Sequence, residues 1–252
     1  MKNLCLLAIA ALGYLAGVQA APDADRVPTL PNMTLSSKYY AGYIDIKDTS
    51  KKIHYIFVES QNDPTKDPVV LWTNGGPGCA SLGAFLQEHG PWVIDDGATE
   101  FHENEYSWNK NASVIYIDQP AGVGYSYCDT TVTPDECSFD DLTSSEDNLK
   151  VILGWFEKFP EYKGNDFYVS GESYGGIYVP YMLWQVDKHN NNPSTANDDK
   201  VNMKGIMVGN GVTNWVYDTQ PATNSMLYEH LMIPEDLWVL MPECNYTLSP
   251  FG

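Results

Sequence analysis

The segment Gly171-Glu172-Ser173-Tyr174-Gly175-Gly176 is where the sequence places a nucleophile. In the spacing Gly-x-Ser-x-Gly, small residues on both sides of the serine let a strand turn sharply into a helix, which leaves the hydroxyl standing free at the helix N-terminus. The plain alternative is a glycine-rich turn capped by Ser173. Context favours the elbow, because apolar Phe167-Tyr168-Val169 precedes it and a helical pattern follows. A second segment, Asn74-Gly75-Gly76-Pro77-Gly78-Cys79, follows another apolar run. Successive glycines there can turn backbone N–H groups toward an oxyanion forming in a transition state. Taken by itself, that segment is equally a tight turn without a ligand.

Both segments need a sheet beneath them. Residues 38–46 and 52–59 alternate apolar and polar side chains at period two and predict a β-hairpin or meander. Residues 68–73, 114–117, 167–169 and 201–208 are apolar runs suited to strands buried on both faces. Helical patterns lie between them: residues 144–159, opening at Ser144-Ser145-Glu146-Asp147 and stopping at Pro160, and residues 174–189. Strand alternating with helix predicts an α/β fold, a mostly parallel sheet with flanking helices. Residues 190–200 read as a surface loop.

Composition narrows the partners. The 252 residues carry 14 Lys+Arg against 33 Asp+Glu, a net charge of −19, so no basic stripe is available to hold a polyanion and nucleic acid is excluded as a partner. Hydrophobic residues at 43% and aromatics at 13% are enough for a core and exclude disorder. Lys2, an apolar run over 4–17 and Val18-Gln19-Ala20 predict a signal peptide over 1–20, cleaved after Ala20 and too short to span a bilayer. The mature chain is then expected in the secretory pathway with no membrane attachment. Glycosylation sequons begin at Asn32, Asn111 and Asn245, the middle one at the opening of a strand where burial would hinder modification. Cys5 leaves with the signal, and Cys79, Cys128, Cys137 and Cys244 remain, with 3 possible connectivities. A local Cys128–Cys137 bridge across a turn-rich loop is the most economical. No Cys-x-x-Cys or close Cys/His cluster has zinc spacing, and no metal or cofactor is expected.

Residues 72–81, Glu88-His89-Gly90-Pro91, residues 118–127 (DQPAGVGYSY) and residues 171–176 resemble, in order and spacing, the serine carboxypeptidases, a family of α/β-hydrolases. The likeness runs from about Tyr40 to the end of the sequence. It implies that Ser173 is the acylating nucleophile and that the backbone N–H groups of Gly76 and Tyr174 form the oxyanion hole. It further implies that Asn74, Gly75, Glu88 and Glu172 bind the free C-terminal carboxylate of a peptide, with Trp72 supporting them. Two carboxyls hold a third carboxylate only when protonated, so Glu88 and Glu172 are expected to have raised pKa values from burial and mutual repulsion. Peptide binding is then expected to favour acid pH, as in a lysosome or vacuole. The resemblance also implies an incomplete hydrolase core over residues 21–215, the start of a cap insertion over 216–252, and bridges from Cys79 and Cys244 to later cysteines.

A hydrolase triad of this fold runs Ser, Asp, His along the chain. Downstream of Ser173 stand only His189 and His230. His189 lies about 24 Å from Ser173 along a straight helix at 1.5 Å per residue, out of reach of the hydroxyl. His230 is expected on the surface of a cap helix. No catalytic Asp or His is identified, and the C-terminal strands of the sheet are expected to be missing. The sequence therefore reads as the N-terminal part of a longer enzyme, catalytically deficient by itself. Two other functions fit the same residues: an acyltransferase using the elbow with an alcohol acceptor, and a non-catalytic binder of peptide C-termini. Retention of Asn74, Glu88 and Glu172 together favours the peptidase over the acyltransferase.

Overall fold

The computed structural model describes residues 21–31, 33–129, 131, 137–215, 217–218 and 220–243. The signal segment 1–20, Asn32, Cys244 and Asn245 lie outside the described residues. In chain order the elements are β1 (Arg26–Val27), β2 (Tyr39–Asp45), β3 (Lys51–Val58), β4 (Val69–Thr73), α1 (Leu82–Gln87), β5 (Trp92–Val93), β6 (His102–Glu103), β7 (Ser113–Ile117), β8 (Tyr127–Cys128), α2 (Asp141–Lys158), β9 (Phe167–Glu172), α3 (Gly175–Asn190), β10 (Met203–Gly209), α4 (Gln220–Glu229) and α5 (Glu235–Trp238).

The main sheet runs β1-β2-β3-β7-β4-β9-β10, with β8 added beside β3. Its two halves follow the two sequence patterns. The alternating segments form the antiparallel hairpin β2–β3, continued antiparallel onto β7. The continuous apolar runs form the parallel half, in which β4 pairs with β7 on one side and β9 on the other, and β9 with β10. Alternate residues serve opposite faces. Tyr40, Phe57, Leu71 and Ile115 point to the side covered by α2 and α3, where Trp155 stacks on Phe159 at 4.9 Å and meets Phe57 edge-on at 4.9 Å. Tyr39, Val58, Trp72, Val114 and Tyr116 point the other way, to a smaller cluster closed by Ala84 and Phe85 of α1.

Three elements differ from the sequence reading, and the first is β10: expected over 201–208 as a strand buried on both faces, it spans Met203–Gly209 at the edge of the sheet, paired on one side only, with none of its residues buried. Helix α2 begins at Asp141 rather than at residue 144, because Asp140 forms a capping box: its carboxylate accepts from Thr143 N at 2.7 Å while its own N–H donates to Thr143 Oγ1 at 3.0 Å. Ser144 and Ser145, read as the opening, are buried inside the helix. Strand β9 extends to Glu172 instead of stopping at Val169, because Gly171 still pairs with Thr73 of β4 and Glu172 with Gly209 of β10.

Asn111 is exposed in a turn ahead of β7, which corrects the expected burial at that sequon; it is Ser113 that is buried, its Oγ accepting from Ser60 N at 3.0 Å. Cys128 and Cys137 are bridged, their Cα atoms 6.2 Å apart, and Cys79 is exposed and unbridged among the described residues.

Candidate active site

Parallel neighbours β4 and β9 end at the same edge of the sheet, so the loop after Thr73 and the turn after Glu172 emerge side by side. Ligands of open α/β sheets bind at such carboxyl ends. At the turn, Ser173 adopts φ of 55°, a left-handed conformation uncommon for a residue with a side chain. Three backbone bonds hold it there: Ser173 N to Gly209 O (3.0 Å), Val212 N to Ser173 O (2.9 Å) and Gly176 N to Ser173 O (3.0 Å). Ser173 itself is exposed at the mouth of the 16-residue helix α3. The helix N-terminus favours negative charge there.

The glycines around the turn are unequal. A Cβ at Gly171 would lie 2.6 Å from Thr73 O, and one at Gly176 would strike the Val212 carbonyl, whereas one at Gly175 meets its nearest atom at an ordinary 3.7 Å. The steric need therefore falls on Gly171 and Gly176, not on the second glycine of the Gly-x-Ser-x-Gly spacing. Gly75 is pressed against the elbow, since a Cβ there would stand 2.6 Å from Glu172 O and against Tyr174 N. Gly76 follows at φ of 113°, with Cys79 N and Gly78 N each 2.8 Å from where its Cβ would be. The backbone of the glycine loop thus lies directly on the backbone of the elbow.

Beside it, four of the predicted side chains form one hydrogen-bonded chain. Trp72 Nε1 donates to Asn74 Oδ1 at 2.8 Å. With its oxygen engaged, the Asn74 amide turns its NH2 toward Glu172 Oε1 at 2.9 Å and Glu88 Oε1 at 3.4 Å. The Asn74 N–H is in turn held by the fully buried Ser81 hydroxyl at 3.0 Å. Trp72 and Asn74 are buried, while Glu88 reaches its carboxyl in from an exposed position after α1. Burial raises the Glu88 pKa above its usual value of 4.5, the charge of Glu172 raises it further, and the Asn74 hydrogen bond opposes both.

On the other flank, a cavity of about 590 Å³ is lined by Pro77, Gly78, Phe139, Asp141, Tyr174 and Trp215 among others. Tyr174 Oη donates to Asp141 at 3.0 Å, and burial, then that hydrogen bond, pushes the phenol up to about 12.

Each of the five histidines contacts a partner other than Ser173. His189 Nε2 lies 3.0 Å from Asp199 O at the far end of α3. His230 contacts Met226 O at 2.8 Å and sits just past the end of α4, not within the helix where the sequence reading placed it. His102 is 3.9 Å from Asp95 on the surface. The remaining two precede the elbow, out of order for a triad, and His89 belongs to the Glu88-His89-Gly90-Pro91 segment. His54 Nδ1 is 3.0 Å from Asp118 Oδ2, whose carboxylate also accepts from Tyr125 N (3.2 Å) and Leu82 N (3.4 Å), so this pair ties β3 to the glycine-rich turn after β7. His89 is enclosed by aromatic rings beside Glu88. Only side-chain packing could have revealed either.

The family profile described as serine carboxypeptidase matches residues 28–249. This chain belongs to the serine carboxypeptidase family. Among relatives, Lysosomal protective protein of Mus musculus is 40% identical over 253 residues, covering 96% of this chain and 50% of that protein. Serine carboxypeptidase ctsa-4.1 of Caenorhabditis elegans is 39% identical over 94% of this chain and 48% of its own length. Serine carboxypeptidase-like 21 of Arabidopsis thaliana is 43% identical over 82% and 43% respectively. The chain thus spans about half the length of the relatives it matches. The crystal structure of KEX1(DELTA)p, a prohormone-processing carboxypeptidase from Saccharomyces cerevisiae, superposes with a TM-score of 0.71 at 24% identity, covering 86% of this chain and 49% of that one. At that identity it shows the fold alone, an α/β-hydrolase sheet.

Proposed function

We propose that the protein is a serine-type carboxypeptidase that releases C-terminal residues from peptides through an acyl-enzyme at Ser173. The observation that carries this reading is the Asn74 amide, which gathers Glu88 and Glu172 at one point, with Glu172 adjoining Ser173 in sequence. That convergence suits a substrate carboxylate better than any other group: the Asn74 NH2, the Gly75 N–H and a protonated Glu88 carboxyl all donate to it. With the substrate's C-terminus fixed there, the last peptide carbonyl lies over Ser173 Oγ. The hydroxyl oxygen bonds to the carbonyl carbon, its proton passes to a base, and the carbonyl oxygen becomes an oxyanion facing the N–H groups of Gly76 and Tyr174. Collapse breaks the C–N bond, the amine leaves with a proton, and water then hydrolyses the ester. None of the five histidines is hydrogen-bonded to Ser173 among the described residues. In this reading residues 21–215 contribute the core and 216–252 open a cap.

The raised Glu88 pKa keeps that carboxyl protonated to higher pH than usual, so substrate binding favours acid conditions. A secretory route ending in a lysosome or vacuole fits this preference. The test is a comparison, in the protein isolated from its source, of hydrolysis of a blocked dipeptide with acyl transfer from a sugar ester to an alcohol. Faster trimming supports the peptidase, faster transfer the acyltransferase, and binding without turnover a peptide C-terminus binder.

A further inference from the structure

His89 takes no part in the chemistry above, yet its side chain is buried, 7% exposed. Its ring stacks on Trp108 with centroids 4.2 Å apart and planes 19° from parallel, lies over Tyr116 at 5.5 Å, and meets Trp72 edge to face at 4.3 Å and 76°. Nδ1 is 3.0 Å from Tyr116 Oη. The Tyr116 phenol is wholly buried, and its hydroxyl and Nδ1 share one hydrogen bond. Nε2 is itself buried with no hydrogen-bond partner among the described residues. Such a group costs about 1–3 kcal/mol that an apolar ring would avoid, so the imidazole calls for a compensating role.

We infer that His89 is the positioning residue of the carboxylate clamp: it fixes the Trp72 indole, which fixes the Asn74 amide, which presents its NH2 to Glu88 and Glu172. This rests on the clamp reading above. The Asn74 side chain has two orientations of nearly equal shape, and flipping it would aim Oδ1 at the two carboxyls. The indole N–H selects between them by claiming Oδ1 at 2.8 Å. It does so only while its plane is held, and the rings against that plane are His89 and Trp108, the latter 5.2 Å from Trp72 at 85°. His89 is anchored in turn by Tyr116 and by its main chain, which donates to Ala84 O at 3.1 Å and accepts from Trp108 N at 3.0 Å. Because His89 follows Glu88 directly, one backbone segment sets both the carboxyl and the ring that orients its partner.

The test uses the full-length protein and the variants His89→Phe, Tyr116→Phe and the pair together. His89→Phe fills the box but releases the anchor. It is expected to raise KM for a blocked dipeptide with a free carboxylate about tenfold, the worth of one misaligned hydrogen bond to a charged group, with a smaller change in kcat. The indole N–H signal of Trp72 in a ¹⁵N-edited spectrum, assigned by Trp72→Phe, is expected to move from its hydrogen-bonded position. Removing both polar partners together restores melting temperature but neither KM nor the signal. An unchanged signal in His89→Phe, or recovery of KM along with stability in the double variant, overturns the assignment. If His89→Phe does not fold, Tyr116→Phe serves, since it frees the same ring, and an unmoved indole signal there is equally contradictory. Should the unaltered protein bind a C-terminal amide as tightly as the carboxylate, the clamp reading fails, and the Trp72 signal still decides the role of His89.

Discussion

Asn74 is the residue on which the candidate site turns, because one amide group orients two carboxyls. Replacing it with Ala removes the donor and leaves the Trp72 indole N–H without its acceptor. KM for peptides with a free carboxylate is expected to rise about 10- to 100-fold, read from steady-state kinetics at acid pH. Glu172→Gln removes the charge that raises the Glu88 pKa, so the acid preference of peptide hydrolysis is expected to flatten; an unaltered pH profile would count against the shared-charge account. His89 acts on stability instead. Burial holds its imidazole down to about 4 against 6.5 when free, so the unfolded chain binds the extra proton between those values. Stability is therefore lost as pH falls from about 6.5 to about 4, a loss on the order of 3 kcal/mol from this group. Denaturant unfolding of His89→Phe across that window is expected to show a shallower pH slope. Glu88 works in the opposite sense, its raised folded pKa favouring the native state as pH falls through it. At this scale the polar chemistry was legible because Gly-x-Ser-x-Gly and Asn-Gly-Gly-Pro-Gly are local patterns, while the His89 box was not, because Trp72, Trp108 and Tyr116 come from separate segments.

Elements deliver these residues to one place. Strands β4 and β9 were legible as continuous apolar runs because both their faces are covered, and β2 and β3 as alternating ones. The start of α2 was not: Ser144-Ser145-Glu146-Asp147 imitates an opening, but the cap is Asp140 with Thr143. Asp140→Ala is therefore expected to destabilise by about 1 kcal/mol in chemical denaturation, more than Ser144→Ala would through capping. The elbow makes a finer distinction. Gly176→Ala drives a methyl into the Val212 carbonyl and is expected to lower both melting temperature and activity, while Gly175→Ala, whose methyl meets Thr73 O at an ordinary 3.7 Å, is expected to be tolerated. Equal effects at the two positions would show that the turn is not organised as described.

For the molecule as a whole, the sheet separates support from chemistry. The larger core under α2 and α3, centred on Trp155, Phe159 and Phe57, carries stability, and the smaller one under α1 carries Trp72 and Tyr116 close to the clamp. Overall topology was readable from the alternation of strand and helix, but the insertion of β7 between β3 and β4 was not, because pairing order depends on contacts between distant segments. The central claim is that the Trp72, Asn74, Glu88 and Glu172 chain receives a C-terminal carboxylate and thereby feeds Ser173. The most direct test is kcat/KM of the full-length protein for one blocked dipeptide as its free acid and as its C-terminal amide, measured from pH 4 to 8. The account predicts a strong preference for the free acid that is largest at acid pH, shrinks as Glu88 ionises, and disappears in Asn74→Ala. Equal rates on acid and amide, or a preference that grows toward neutral pH, would contradict it.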